Sequence, residues 1–140
     1  MLKILTILVF SVSLLISGEI AIVKKMSGDV TLKRDKKIEK VSIGMELKEG
    51  DVLMTKQNSS VGFIFQDGSV LSLGENSILT INKYLFKPVK NKFSFDVKMY
   101  KGLATFESGK IGKLAPKSVK FRVPDGIIGI RGTKFFVEVK

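Results

Sequence analysis

The stretch Val61–Leu73, VGFIFQDGSVLSL, decides the fold class. Val61, Phe63 and Phe65 alternate with Gly62, Ile64 and Gln66, and beyond Asp67-Gly68 the pattern resumes as Leu71 and Leu73 against Ser72 and Gly74. A period of two turns one face of a strand toward a core and the other toward water. Aspartate and glycine tolerate the positive φ of a tight turn, so Asp67-Gly68 between two such runs predicts a hairpin.

The same alternation continues outward in both directions. Leu79 and Ile81 alternate with Thr80 and Asn82. Phe93, Phe95, Val97 and Met99 alternate with Ser94, Asp96, Lys98 and Tyr100. Val119, Phe121 and Val123 alternate with Ser118, Lys120 and Arg122. Turn signals fall between the runs at Gly28-Asp29, Gly50-Asp51, Asn58-Ser59-Ser60, Gly74-Glu75-Asn76, Lys101-Gly102, Ser108-Gly109 and Asp125-Gly126. Many short strands punctuated in this way predict an all-β fold: a single compact β-roll or sandwich, or a solenoid-like winding. Spacing leaves these alternatives open. The stretch from Lys83 to Lys92 carries Pro88 and four lysines. It reads as an exposed connection between two halves of one domain, because proline does not fit a central strand and edge lysines discourage strand-to-strand association.

The first residues predict export. Met1-Leu2-Lys3 is a short basic start, Ile4 to Ile16 is apolar except for Thr6, Ser11 and Ser13, and Ser17-Gly18 supplies small residues before Glu19. This is the layout of a secretory signal peptide, helical and cut after Gly18. The apolar run is shorter than the ~20 residues of a membrane-spanning helix. The expected domains are therefore 1–18, a signal peptide, and 19–140, one all-β domain of a size that buries its own core. An exported, periplasmic location follows. No cysteine stands near the cut to take a lipid.

Composition narrows the chemistry. The chain has no cysteine, which removes thiol and cysteine-metal chemistry, and no histidine, which removes the commonest general base and a common metal ligand. Histidine-activated nucleophiles are excluded with it. The net charge is +11, and +10 once Lys3 leaves with the signal. Such a balance speaks to solubility and to attraction toward anionic polymer or membrane surfaces. Nucleic acid is not an expected partner.

Four segments together resemble the FecR domain family. They are Ser27-Gly28-Asp29-Val30; Leu47-Lys48-Glu49-Gly50-Asp51-Val52-Leu53-Met54-Thr55; the Asp67-Gly68-Ser69 turn with its two strands; and Val123-Pro124 followed by Ile128 to Phe135, which contains Ile130-Arg131-Gly132-Thr133-Lys134-Phe135. The resemblance spans about Gly28 to Val139. Its motif positions here are Gly50, Asp51, Thr55, Asp67, Gly68, Pro124, Arg131, Gly132, Thr133 and Phe135, read as architectural. It implies a free-standing exported binding and regulatory module, not a full sigma-factor regulator, without catalysis or cofactor and engaging a protein partner in the cell envelope. Asp125-Gly126 departs from the small or hydroxyl residues that often follow the proline in that family.

Residue by residue, the turn aspartates Asp29 and Asp51 read as acceptors for nearby backbone N–H groups, ahead of acid–base catalysis or calcium binding. Arg131 lies in an apolar segment and reads as a tie across the corner, to carbonyls or to Asp51 or Asp67. The competing reading is capture of an anionic ligand group. Arg131→Met is expected to lower the melting temperature, and intact stability with a lost partner would favour capture. Phe136 falls on the same face as Lys134 and Glu138, outward, where it either packs beneath a loop or joins a contact patch. Arg131, Phe136, Lys120 and Arg122 are the candidate partner contacts. Two other functions compete with the binding module. One is a structural envelope protein that holds anionic polymer or membrane by its basic face. The other is a carboxylate-only glycan-cleaving enzyme, which the turn positions of the acids disfavour.

Overall fold

A computed structural model describes residues 18–130 and 134–140. Twelve strands form one continuous, curled, half-barrel sheet. They are β1 (Glu19–Ser27), β2 (Val30–Arg34), β3 (Lys37–Lys40), β4 (Glu46–Lys48), β5 (Val52–Thr55), β6 (Ser60–Phe65), β7 (Val70–Leu73), β8 (Ile78–Lys87), β9 (Lys92–Glu107), β10 (Val119–Val123), β11 (Gly126–Ile128) and β12 (Lys134–Val139). One short helix, α1 (Lys110–Leu114), and two 3-10 turns complete the described chain.

The sheet has two limbs that share β9. The first runs β4-β1-β6-β7-β9-β12 and the second β3-β2-β5-β8-β9-β10-β11. The N-terminal half of β9 pairs with β8 and its C-terminal half with β7 and β12. A strand that changes sheets at a bulge is the usual way to turn such a corner. Here the bulge lies at Tyr100–Gly102, where Ile78 pairs with Lys101 but Leu79 pairs with Met99. Lys101-Gly102 therefore does not end a strand, as its residue types predicted. Gly102, at φ +107, redirects β9 without interrupting the pairing.

The alternating residues face inward. Val61, Phe63, Phe65, Leu71, Leu73, Leu79, Ile81, Phe95, Val97, Met99 and Phe121 are buried. Aromatic rings bridge the limbs. Phe65 of the first lies 5.0 Å from Tyr84 and 4.8 Å from Phe95 of the second, and Phe106 lies 6.5 Å from Phe121. Aromatic pairs at these centroid separations add to simple area burial.

Three local expectations differ from the structure. Lys83–Lys87 is the end of β8, not a loop, and only Pro88–Asn91 connects it to β9. Tyr84 is the reason: its buried ring holds this segment in the ladder despite the lysines. The turn after β10 is Pro124-Asp125, with Gly126 already paired to Val123. Finally, β9 and β10 run parallel through a crossover that contains α1, an element strand patterning does not announce. The expected signal segment up to Ser17 lies outside the described residues.

Candidate functional site

Among the described motif positions, the polar residues Asp51, Thr55 and Asp67 sit inside the molecule, in three fastenings. In the first, Lys48–Asp51 forms a turn. The Asp51 carboxylate is fully buried and accepts the Lys48 N–H at 2.7 Å. Arg34 at the end of β2 grips it bidentately, Nε to Oδ1 at 2.8 Å and Nη2 to Oδ2 at 2.7 Å. A planar fork matched to a carboxylate is the strong form of this pair. The turn then docks on β8: Gly50 N–H donates to the Ile81 carbonyl, Ile81 N–H to the Asp51 carbonyl, and Tyr84 N–H to Glu49 Oε1. Arg34 pairs with Asp51 from seventeen positions away, a separation at which local sequence gives no reason to select it.

The second fastening is built on Asp67 in the β6–β7 hairpin. Its Oδ1 accepts the Tyr84 hydroxyl at 2.8 Å and the Ser69 N–H at 3.3 Å. Its Oδ2 accepts the Ser69 hydroxyl at 2.7 Å and the Ile111 N–H at 3.0 Å. The Asp67 carbonyl accepts Lys110 N–H, and Gly109 N–H donates to Ser69 Oγ. One hairpin turn therefore anchors β8 and the start of α1. A Cβ at Gly109 would stand 2.4 Å from the Asp67 carbonyl oxygen and 2.5 Å from Ser69 N, so the close approach requires glycine. Gly68 at φ +86 completes the turn.

Burial, and then the neighbouring Asp67 carboxylate, push the Tyr84 phenol well above its ordinary value of 10.0. Above pH ~10 an unfolded chain releases this proton while the folded one keeps it, so stability is full below that pH and declines above it. Tyr84→Phe should lose ~1–3 kcal/mol at pH 7 through the orphaned Asp67 N–H and carboxylate. It should also show a shallower alkaline fall than the parent in urea melts between pH 9 and pH 11. Parallel alkaline limbs would refute the account.

The third fastening locks the bend of β9. Thr55 Oγ1 donates to the Gly74 carbonyl at 2.6 Å and accepts Ser77 N–H at 2.9 Å. Ser77 Oγ accepts Leu103 N–H at 3.0 Å and donates toward the carbonyls of Gly74, Glu75 and Leu103. Ser77 is fully buried, and a lone serine between a turn and a strand carries no periodic signal in the sequence. Among the described residues, no buried side-chain nitrogen or oxygen lacks a partner.

The remaining predicted positions are near the surface or in the closing corner. Pro124 lies in the β10–β11 turn, and Phe135 packs 5.5 Å from Phe106 and 5.4 Å from Phe121. Arg131, Gly132 and Thr133 lie outside the described residues. Phe136 is 63% exposed on the outer side of β12. Lys120 is exposed on β10. Arg122 is committed within the molecule, with Nε 2.8 Å from Asp96 Oδ1 and Nη2 2.9 Å from Oδ2 across the parallel β9–β10 pair. Arg122 beside Asp96 holds that carboxyl below the usual carboxylate range, and the Asn82 amide adds to the effect.

Among the described residues, no three metal-ligating side chains converge, and no helix is long and apolar enough to cross a membrane. No curated protein and no solved structure matches the chain. The model of the family described as FecR protein matches residues 51–140, so its match begins at the buried turn aspartate and includes the Asp67 and Ser77 fastenings and the closing strand. With more than half of its length matched, the chain belongs to the FecR family.

Proposed function

We propose that this protein is a non-catalytic, exported binding and regulatory module that engages a protein partner in the periplasm or cell envelope. FecR membership supports a regulatory, signalling role. The observation that carries the reading is where the interior polar groups are used. Asp51, Thr55, Asp67, Ser69 and Ser77 are buried and bonded to neighbouring strands and turns. These groups hold a scaffold, and the outward faces of the sheet are left for recognition, the usual route by which strand-rich modules meet partners.

The full chain, immobilised and exposed to solubilised envelope of its source cells, should retain a discrete protein at both 0.1 M and 1 M salt. At 1 M the screening length falls to about 3 Å, which strips attachment by surface charge alone. Retention only of polymer or phospholipid, lost at 1 M salt, would point instead to a structural envelope protein. Turnover of envelope glycans by the full chain would overturn the non-catalytic reading.

A further inference from the structure

The outer surfaces of the two limbs differ in charge. On the first limb one row across the strands reads Ile22, Ile64, Val70, Glu107 and Lys134, and the next reads Lys25, Gly62, Ser72, Thr105 and Phe136. Both signs are present. On the second limb, one row reads Ile38, Lys33, Val52, Thr80, Lys98, Arg122 and Ile127, and the next reads Lys40, Thr31, Met54, Ile78 and Lys101. Those two rows carry five cations and no acid. Of the nearby acids, Asp96 is engaged by Arg122 and Asp29 by Lys56 at 3.4 Å, while Glu39 is exposed on the edge strand β3 between Ile38 and Lys40, in the intervening row opposite Leu32. Among the described residues, no carboxylate lies within ion-pair distance of Lys33, Lys40 or Lys101.

The second row is also a groove of about 430 Å³. Thr31, Met54 and Ile78 line it, Ile38 forms a wall at 65% exposure, and Lys56 and Lys101 stand beside it. An apolar floor with cationic margins needs an occupant that offers both apolar side chains and negative charge. We infer that the outer face of the second limb docks an extended protein segment in which acidic and apolar residues are interspersed. This inference rests on the binding-module reading and names the surface and the partner chemistry. Five strands at ~4.8 Å spacing span about 19 Å, the length of roughly six extended residues. A lipid surface fits less well, because the sheet is curled and its outer face is not planar. A polyanionic glycan would supply charge but would leave its hydroxyls against Met54 and Ile78.

The test is selection of a random dodecapeptide phage library on the immobilised full chain. Enriched peptides should carry at least two acidic and two apolar residues. Ile38→Asp should weaken them tenfold or more, as should the double change Lys40→Glu/Lys98→Glu, while Phe136→Asp on the other limb should leave affinity within twofold. All three changes are at exposed or half-buried positions, and a thermal melt verifies folding. Raising salt to 1 M should weaken binding without abolishing it. Peptides without acidic excess, peptides insensitive to Ile38→Asp, or no enrichment would overturn the inference. So would equal capture of phosphatidylglycerol vesicles with the same dependence on Ile38. Peptides that bind but are lost with Phe136→Asp alone would move docking to the first limb, sinking this assignment while leaving the binding-module reading in place.

Discussion

Gly102→Ala should cost about 3–5 kcal/mol of stability. Two terms combine. At φ +107 an L-residue is strained whatever surrounds it. A Cβ there would also stand 2.1 Å from Ser77 Oγ and 2.5 Å from Ser77 Cα, and the second atom belongs to backbone that cannot rotate away. Ser77 cannot retreat either, because its hydroxyl closes the carbonyls of Gly74 and Leu103. Gly68→Ala is the matched control. It has a similar positive φ, +86, but nothing within 4 Å of the added carbon, so it should cost only ~1–2 kcal/mol. Equilibrium urea unfolding of both variants separates packing from backbone strain. Equal losses would mean that the Ser77 collision is relieved cheaply, contrary to this account.

Asp67→Ala should lose a comparable ~3–5 kcal/mol, by a different route. Four donors converge on the carboxylate, and truncation strands them in a site where Asp67 is only 2% exposed. Asp67→Asn is the more informative change. Hydroxyls of Tyr84 and Ser69 can rotate to accept from an amide, but backbone N–H groups cannot. The Ser69 N–H faces one carboxylate oxygen and the Ile111 N–H faces the other, so either orientation of the amide sets nitrogen against a fixed donor. Asparagine should therefore fail to restore the wild-type midpoint, and amide exchange at Ile111 should accelerate as α1 loses its tether. An asparagine variant within about 0.5 kcal/mol of the parent would show that the site tolerates a donor and would refute the argument.

Strand existence and sidedness were legible because the interior residues repeat every second position over runs such as Phe93–Met99 and Val61–Phe65. Turn chemistry was legible where φ is positive, as at Gly28, Gly50 and Gly68. The β2–β3 turn escaped notice because it uses Asp35 and Lys36 at φ 49 and 66, and lysine carries no turn signature. The helix α1 escaped because five residues bury only Ile111, too few for a 3.6 period to show. What most resisted reading was partnership. Asp51 and Asp67 have the residue types of turn acceptors, but the identities of Arg34, Tyr84 and the Ile111 N–H depend on strand order, which a period of two does not encode. Arg122 likewise looks like a free surface cation in sequence, and only the parallel β9–β10 register places Asp96 diagonally beside it.

The sharing of β9 by both limbs bears on the order in which the molecule assembles. β7 and β8 precede it in the chain and β10 and β12 follow, yet all four complete their ladders on its backbone. A nascent polypeptide that ends before Lys92 therefore holds two partial sheets whose central edges are unpaired, joined only by side-chain and turn contacts such as Asp67 with Tyr84 and Gly50 with Ile81. The β8–β9 pairing is a local hairpin, but the β7 and β12 pairings bridge longer separations, and pairings distant in sequence close slowly. The two limbs therefore gain their shared ladder only once β9 has emerged.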